Sequence, residues 1–203
     1  MTEKIAGLVL AGGASRRMGG GDKCFMSLGS ERLIDRAVAR LRPQVGPLAI
    51  SANSDPALFD GLDLPILPDT PPAGRGPLAG FLAGLEWAAD AKASHLTTIA
   101  SDTPFFPVDL VMQLRQTARD AGAIVLASSR GRRHAVFGLW PLSELEPLRD
   151  WLEAGHSLKA RDYVDGRQNQ RCEFAGTEET DPFFNINTPQ DLAEAQRLAR
   201  AAR

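Results

Sequence analysis

The chain gathers residues suited to holding an anion close to its start. Residues 9 to 23 read VLAGGASRRMGGGDK, a stretch with five glycines, the adjacent pair Arg16 and Arg17, and Lys23. Glycine lacks the Cβ that keeps a backbone at a distance, so clustered glycines such as Gly12 and Gly13 let several amide N–H groups point at one guest. A lysine ammonium is a compact charge that suits phosphate oxygens, above all those whose negative charge grows as pyrophosphate departs. The competing reading is a tight turn whose arginines are merely solvated. Two familiar phosphate loops fail on spacing: Gly12 and Gly13 are adjacent, which breaks G-x-G-x-x-G, and Gly21 is followed by Asp22-Lys23-Cys24 rather than Lys-Ser or Lys-Thr.

Asp102, in Ser101-Asp102-Thr103-Pro104, follows a short apolar run and should stand at the C-terminal end of a strand, the edge where open α/β sheets collect ligands. Magnesium needs only one or two carboxylates when phosphate oxygens and water complete its shell, so Asp102 can start such a site; it can equally cap the turn before Pro104. Asp69, after Leu67-Pro68, should open onto the same edge, where its carboxylate would accept paired N–H groups or ribose hydroxyls, or cap a loop. Gly76-Pro77-Leu78-Ala79-Gly80 sets glycine before a helix start, where free amides favour polar ligands. Close helix packing is the other explanation, and the stronger one for Gly80.

The remaining reactive side chains offer less. His95, His134 and His156 have no second metal ligand near them in sequence and read as satisfied or solvated. Arg132-Arg133-His134 reads first as a solvated charged turn, with contact to an anionic ligand as the alternative. Cys24 and Cys172 form neither a CxxC motif nor a metal spacing, which fits a reducing cytoplasm. No signal peptide or membrane-spanning run is expected. With a formal net charge of −2, the chain lacks the broad basic surface of a nucleic-acid binder.

These residues need a scaffold that brings them to one edge. At 203 residues, 43% hydrophobic and 24% charged, the chain suits one domain, residues 1–203. Short apolar runs predict strands at 5–10, 48–51, 66–67, 96–100, 124–127 and 135–140, and helical spacing appears at Leu33 to Leu41, Phe81 to Ala88 and Leu110 to Ala118. That alternation is the pattern of an α/β layered sheet with helices on both faces. Residues 161–181 read as irregular apart from a strand near 172–174. Thr188, Pro189 and Asp191 supply an N-cap, a first helical residue and first-turn negative charge, so a terminal helix should run to about Ala201.

Taken in order, Leu10-Ala11-Gly12-Gly13, Arg16-Arg17-Met18-Gly19, Asp22-Lys23, Gly76-Pro77-Leu78-Ala79-Gly80, Ser101-Asp102-Thr103-Pro104 and Asn185-Ile186-Asn187-Thr188-Pro189 resemble the molybdenum cofactor guanylyltransferase family along nearly the whole chain. The first motif is common to many nucleotidyltransferases; the last is more particular. The resemblance implies a Rossmann-like three-layer αβα sandwich with a mostly parallel central sheet, of the nucleotide-diphospho-sugar transferase type. It implies a nucleotide-binding part at about 1–105 and an acceptor-binding part at about 106–203. The implied reaction moves GMP from GTP to the terminal phosphate of molybdenum-molybdopterin with Mg2+ and releases pyrophosphate. Leu10, Ala11, Gly12, Gly13, Ser51, Asn53, Asp69 and Gly76 would then contact nucleotide; Lys23 with Arg16 or Arg17 would hold the departing pyrophosphate, Asp102 the metal, and Asn185 and Asn187 the acceptor. Ser51 departs from the family's Asn-x-Asn segment and lacks the amide's paired donor and acceptor. Proteins that insert molybdenum or accept the finished cofactor are the implied partners. A CTP-dependent sister enzyme and a non-catalytic nucleotide-binding carrier are the rivals.

Overall fold

A computed structural model describes residues 3–12, 22–69, 76–120, 122–176 and 181–201. Among these residues the strands are β1 (Ile5–Leu10), β2 (Ser27–Leu28), β3 (Glu31–Arg32), β4 (Leu48–Ser51), β5 (Ile66–Leu67), β6 (His95–Ala100), β7 (Ile124–Ser129), β8 (Arg132–Pro141) and β9 (Asn169–Glu173). The helices are α1 (Leu33–Leu41), α2 (Pro77–Asp90), α3 (Leu110–Thr117), α4 (Leu145–Glu153), α5 (Ala160–Asp165) and α6 (Pro189–Ala201).

Seven strands make one sheet in the order β5-β4-β1-β6-β8-β7-β9, and β2 and β3 form a separate hairpin. All neighbours in the large sheet are parallel except β8, which runs against both β6 and β7. The strand alternation explains the layers. In β7, Ile124 and Leu126 point into one apolar cluster, Val125 and Ala127 into the other; in β1, Leu8 and Val9 divide the same way. Residues on α2, α4 and α5 (Phe81, Leu85, Leu148, Tyr163) close the first cluster, and residues on α1 and α3 (Ile34, Val38, Leu41, Leu110, Leu114) close the second. The αβα sandwich follows from that two-sided burial.

β8 enters through a two-residue turn at Arg130 and Gly131, both at positive φ (50° and 73°), the geometry that joins antiparallel strands tightly. Its register then slips: Leu126 pairs with Gly138, yet Ala127 pairs with His134. The extra residues bulge, and the bulge is held from behind, since Thr98 Oγ1 donates to the Val136 carbonyl at 2.7 Å. β8 pairs with β6 only as far as Thr98 and Gly138, so the β7–β8 hairpin continues beyond the C-terminal end of β6.

One expectation needs correction. Residues 161–181 are not largely irregular: α5 covers Ala160–Asp165 and β9 pairs in parallel with β7 from Ile124 opposite Asn169 to Ser128 opposite Glu173. α5 is too short to show a repeating period, burying only Ala160, Tyr163 and Val164. β9 is an edge strand with just Cys172 buried, so hydrophobicity did not mark its full extent.

Candidate active site

The C-terminal ends of β1, β4 and β6 are laced into one rim. Ala11 N donates to Ser51 O (2.9 Å) and Ser101 N donates to Leu10 O (3.0 Å), so the residues leaving each strand start side by side. Ala11 is buried and Gly12 exposed, and a Cβ built at Gly12 would meet no described atom within 4 Å. Gly13, Arg16 and Arg17 lie outside the described residues.

The chain reappears at Asp22, which accepts a hydrogen bond from Ser54 Oγ and so ties itself to the segment after β4. A single 3-10 turn, Lys23–Phe25, follows; it is pinned by the wholly buried Cys24 and by Phe25, whose ring packs 5.0 Å from that of Phe59. That anchoring sends the Lys23 side chain across the rim. Its Nζ donates to Asp102 Oδ2 at 3.0 Å and to Asn187 Oδ1 at 2.6 Å. Both partners of the ion pair are largely screened from water, at 16% and 20% side-chain exposure. A lysine has three donors; two are engaged here.

Asp102 and Asn187 are themselves locked together. Ile186 N donates to the Asp102 carbonyl at 2.9 Å, and Ile186 is wholly buried in a small cluster with Leu28, Leu33 and Ala195. In this extended segment the alternate residues Asn185 and Asn187 are exposed. The turn into α6 is a reciprocal cap: Asp191 Oδ2 accepts from Asn187 N (2.9 Å) and Thr188 N (2.8 Å), and Asp191 N donates to Thr188 Oγ1 (3.1 Å). The amide hydrogen bond from Asn187 holds the Asp191 carboxyl below the usual carboxylate range.

On the other flank Asn53 and Asp69 clasp each other. Asn53 Nδ2 donates to Asp69 Oδ2 (2.8 Å) and Asp69 N donates to Asn53 Oδ1 (2.9 Å), both at exposed positions. Ser51 is different: it is buried, and its Oγ occupies the place where a Cβ on Gly80 of α2 would fall. Its side chain is therefore tucked under the helix, while its carbonyl receives Ala11. Gly76 meets the 154–159 loop, where a Cβ would strike the Leu158 carbonyl oxygen. Both glycines of the Gly76-to-Gly80 segment thus serve close packing.

Beside Asn187 opens a cleft of about 890 Å³, walled by the β7–β8 turn, α5, β9 and residues 181–187. Asn185, Asn187 and Thr103 line one part of it; Arg132, Arg133, Arg161 and Arg171 line another. Arg132, Arg133 and His134 stand at the β7–β8 end of this cleft, with Arg132 exposed. The other two histidines have plain partners: His95 is buried beside Ser94, and His156 packs on Trp151. Cys24 and Cys172 are free and buried, with burial pushing the Cys24 thiol up to about 12.

The described residues contain no group of three or more His, Cys, Asp or Glu positioned to hold a metal ion. Asp102 offers a carboxylate at the rim, an oxygen donor that suits a hard cation drawing its other ligands from phosphate and water.

Comparison with known proteins decides the class. The sequence profile of the MobA-like NTP transferase domain matches residues 7–170. The chain belongs to the MobA-like NTP transferase family. Among its relatives, the molybdenum cofactor guanylyltransferase of Mesorhizobium japonicum is 47% identical over 205 residues, covering 99% of each chain. That of Cereibacter sphaeroides is 46% identical over 197 residues, covering 97% of this chain and 98% of the relative. Among solved structures, molybdopterin-guanine dinucleotide biosynthesis protein A from Archaeoglobus fulgidus superposes with a TM-score of 0.76 at 21% identity, covering 97% of this chain and 99% of that one. The 4-diphosphocytidyl-2C-methyl-D-erythritol synthase of Anaerococcus prevotii gives 0.76 at 10% identity, covering 98% and 96%. The last two establish the fold: a nucleotidyltransferase sheet of the nucleotide-diphospho-sugar type. No helix among the described residues is long and apolar enough to cross a membrane.

Proposed function

We propose that this enzyme transfers GMP from GTP to the terminal phosphate of molybdenum-molybdopterin, releasing pyrophosphate and forming the guanine dinucleotide cofactor. The observation that carries the mechanism is the convergence of Lys23, Asp102 and Asn187 on one point of the rim. Near-full-length identity to guanylyltransferases supports the choice of guanine and of acceptor. In this reading residues to about 105 bind nucleotide and residues from about 106 bind acceptor, the two parts sharing one sheet.

The backbone at Leu10, Ala11, Gly12 and Gly13 faces the nucleotide, and the clasped Asn53 and Asp69 meet its nucleoside end. Gly76 shapes the approach to the first turn of α2. An oxygen of the acceptor's phosphate attacks the α-phosphorus of GTP; the new P–O bond forms as the bond to the β-phosphate oxygen breaks and its electrons leave with pyrophosphate. Lys23, with Arg16 or Arg17, balances the charge that gathers on the leaving group. The attacking phosphate is already ionised at neutral pH, so the side chains need hold no general base. Mg2+ held by Asp102 would neutralise triphosphate oxygens. Asn187 keeps the lysine and the acceptor side in register, and Asn185 stands beside it on the same exposed edge. The reaction runs in the cytoplasm, where the buried cysteines stay reduced.

The test is pyrophosphate release with GTP, Mg2+ and molybdenum-molybdopterin, with CTP and ATP as competitors. Lys23→Ala and Asp102→Ala should each abolish most turnover while the unfolding temperature persists. Release that is unchanged in both variants, or equal turnover with CTP, overturns the reading.

A further inference from the structure

The short connection that leaves β4 touches both flanks of the rim. Ala52 N donates to Leu67 O at 3.0 Å, so the connection starts from a point fixed in the sheet. Each of the next two residues then takes one carboxylate. Asn53 clasps Asp69 through both ends of its amide, at 2.8 and 2.9 Å. Ser54 Oγ donates to the carboxylate of Asp22, the residue just ahead of Lys23. None of the motifs behind the family resemblance includes Ser54.

The Ser54 bond is one of three ties between the segment after β4 and the turn that carries Lys23. The 3-10 turn Pro56–Phe59 is capped by Asp55, whose carboxylate accepts from Ala57 N at 3.0 Å. It presents Leu58 O to Arg32 Nη1 at 2.9 Å and the buried Phe59 ring to Phe25. Those two ties hold residues that follow Lys23; of the three, only the Ser54 bond holds the residue that precedes it. Asp22 O also accepts from Phe25 N at 3.1 Å, which closes the turn. The backbone of Lys23 is thus gripped on both sides, whereas its four-carbon stem is flexible. A fixed root lets the ammonium exchange Asp102 and Asn187 for phosphate oxygens without losing its aim.

We infer that Ser54 is a positioning residue for Lys23: by holding Asp22 it fixes the root from which the lysine reaches the outer phosphates of the nucleotide. The inference rests on the proposed function for the task of Lys23. Ser54 touches no reacting atom and acts only through Asp22. Its neighbour Asn53 serves Asp69 at the nucleoside end, so two adjacent residues should leave opposite signatures on nucleotide binding.

The test is calorimetric titration of GTP and of GMP, each with Mg2+, into wild type, Ser54→Ala, Ser54→Thr, Asn53→Ala, Lys23→Ala and the Ser54→Ala, Lys23→Ala double variant, all checked for thermal unfolding. Loss of a hydrogen bond to a charged group predicts a rise of roughly tenfold in the Kd of GTP for Ser54→Ala. GMP lacks the outer phosphates, so its Kd should stay within about twofold, and Ser54→Thr, which keeps the hydroxyl, should restore GTP binding. Asn53→Ala should weaken GTP and GMP alike. In the Lys23→Ala background the serine change should add nothing, because the group it positions is gone. In the transfer assay kcat should fall for Ser54→Ala while KM for the acceptor stays within about twofold. An unchanged Kd for GTP, an equal loss for GTP and GMP, or the full loss again without Lys23 overturns the inference. If CTP or ATP binds in place of GTP and shows the same triphosphate-selective loss, the proposed function fails on its base and the role of Ser54 stands.

Discussion

Replacing Gly76 by alanine probes whether the start of α2 and the 154–159 loop are pressed together. A Cβ at this position would lie 2.7 Å from Leu158 Cβ and 2.9 Å from its carbonyl carbon, with the carbonyl oxygen nearer still. Ordinary contact begins at 3.4 Å, so the two segments must part by at least ~0.7 Å, and because the obstacle is backbone no rotamer change relieves it. Overpacking of this kind costs about 1–3 kcal/mol, and a chain of this size loses roughly 2–4 °C of Tm per kcal/mol. Gly76→Ala should therefore lower the midpoint by about 6 °C at the middle of those ranges. Gly12→Ala is the matched control: the described atoms leave open space there, so Tm should hold or rise slightly through the stiffer unfolded chain. GTP affinity should instead fall sharply, because the methyl enters the space assigned to the nucleotide. Differential scanning calorimetry with a parallel nucleotide titration reads both. A Gly76→Ala protein that melts with wild type, or a Gly12→Ala protein that binds GTP normally, would refute the reasoning.

Glu144 is buried, and it accepts Tyr163 OH at 2.5 Å and two guanidinium hydrogen bonds from Arg167 at 3.0 Å each. Glu144→Ala leaves both partners stranded and should cost about 3–5 kcal/mol, whereas Tyr163→Phe should cost about 1 kcal/mol; urea unfolding separates the two. His95 and His134 are held below the ordinary imidazole value, in each case chiefly by burial. The unfolded chain therefore takes up protons that the folded one refuses, so this stability is whole above about pH 6.5 and is lost as pH falls through the depressed folded values. Unfolding midpoints should drop between pH 7.5 and 5.5, and the drop should shrink in a His95→Gln, His134→Gln double variant.

Much of the layered sheet could be read in advance because its strands and helices announce themselves at different periods. Ile5 to Leu10 is continuously apolar, buried on both faces, while Leu33 to Leu41 repeats its apolar residues at helical spacing. The rim was legible for a related reason: Lys23, Asp69 and Asp102 each follow a strand or a glycine stretch that ends at the same edge. The contact between Lys23 and Asn187 was not, since it joins positions 164 residues apart and depends on Ile186 seating the closing segment. Leu145, Leu148 and Leu152 did carry a helical signal for α4 that went unread. The basic wall of the cleft could not have been found from composition. A charged turn looks the same in sequence whether it faces open water or a cleft, and the placement here follows from the slipped register between β7 and β8.

In the large sheet β8 alone runs counter to its neighbours, and its tip extends past the point where its pairing with β6 ends. Under the proposed function, lengthening, shortening or recharging that tip would reshape the acceptor side while leaving the parallel strands β1, β4 and β5 as they are. A scaffold so divided can keep its donor and change its clientele, and swapping this hairpin is where an engineer seeking new acceptors should begin.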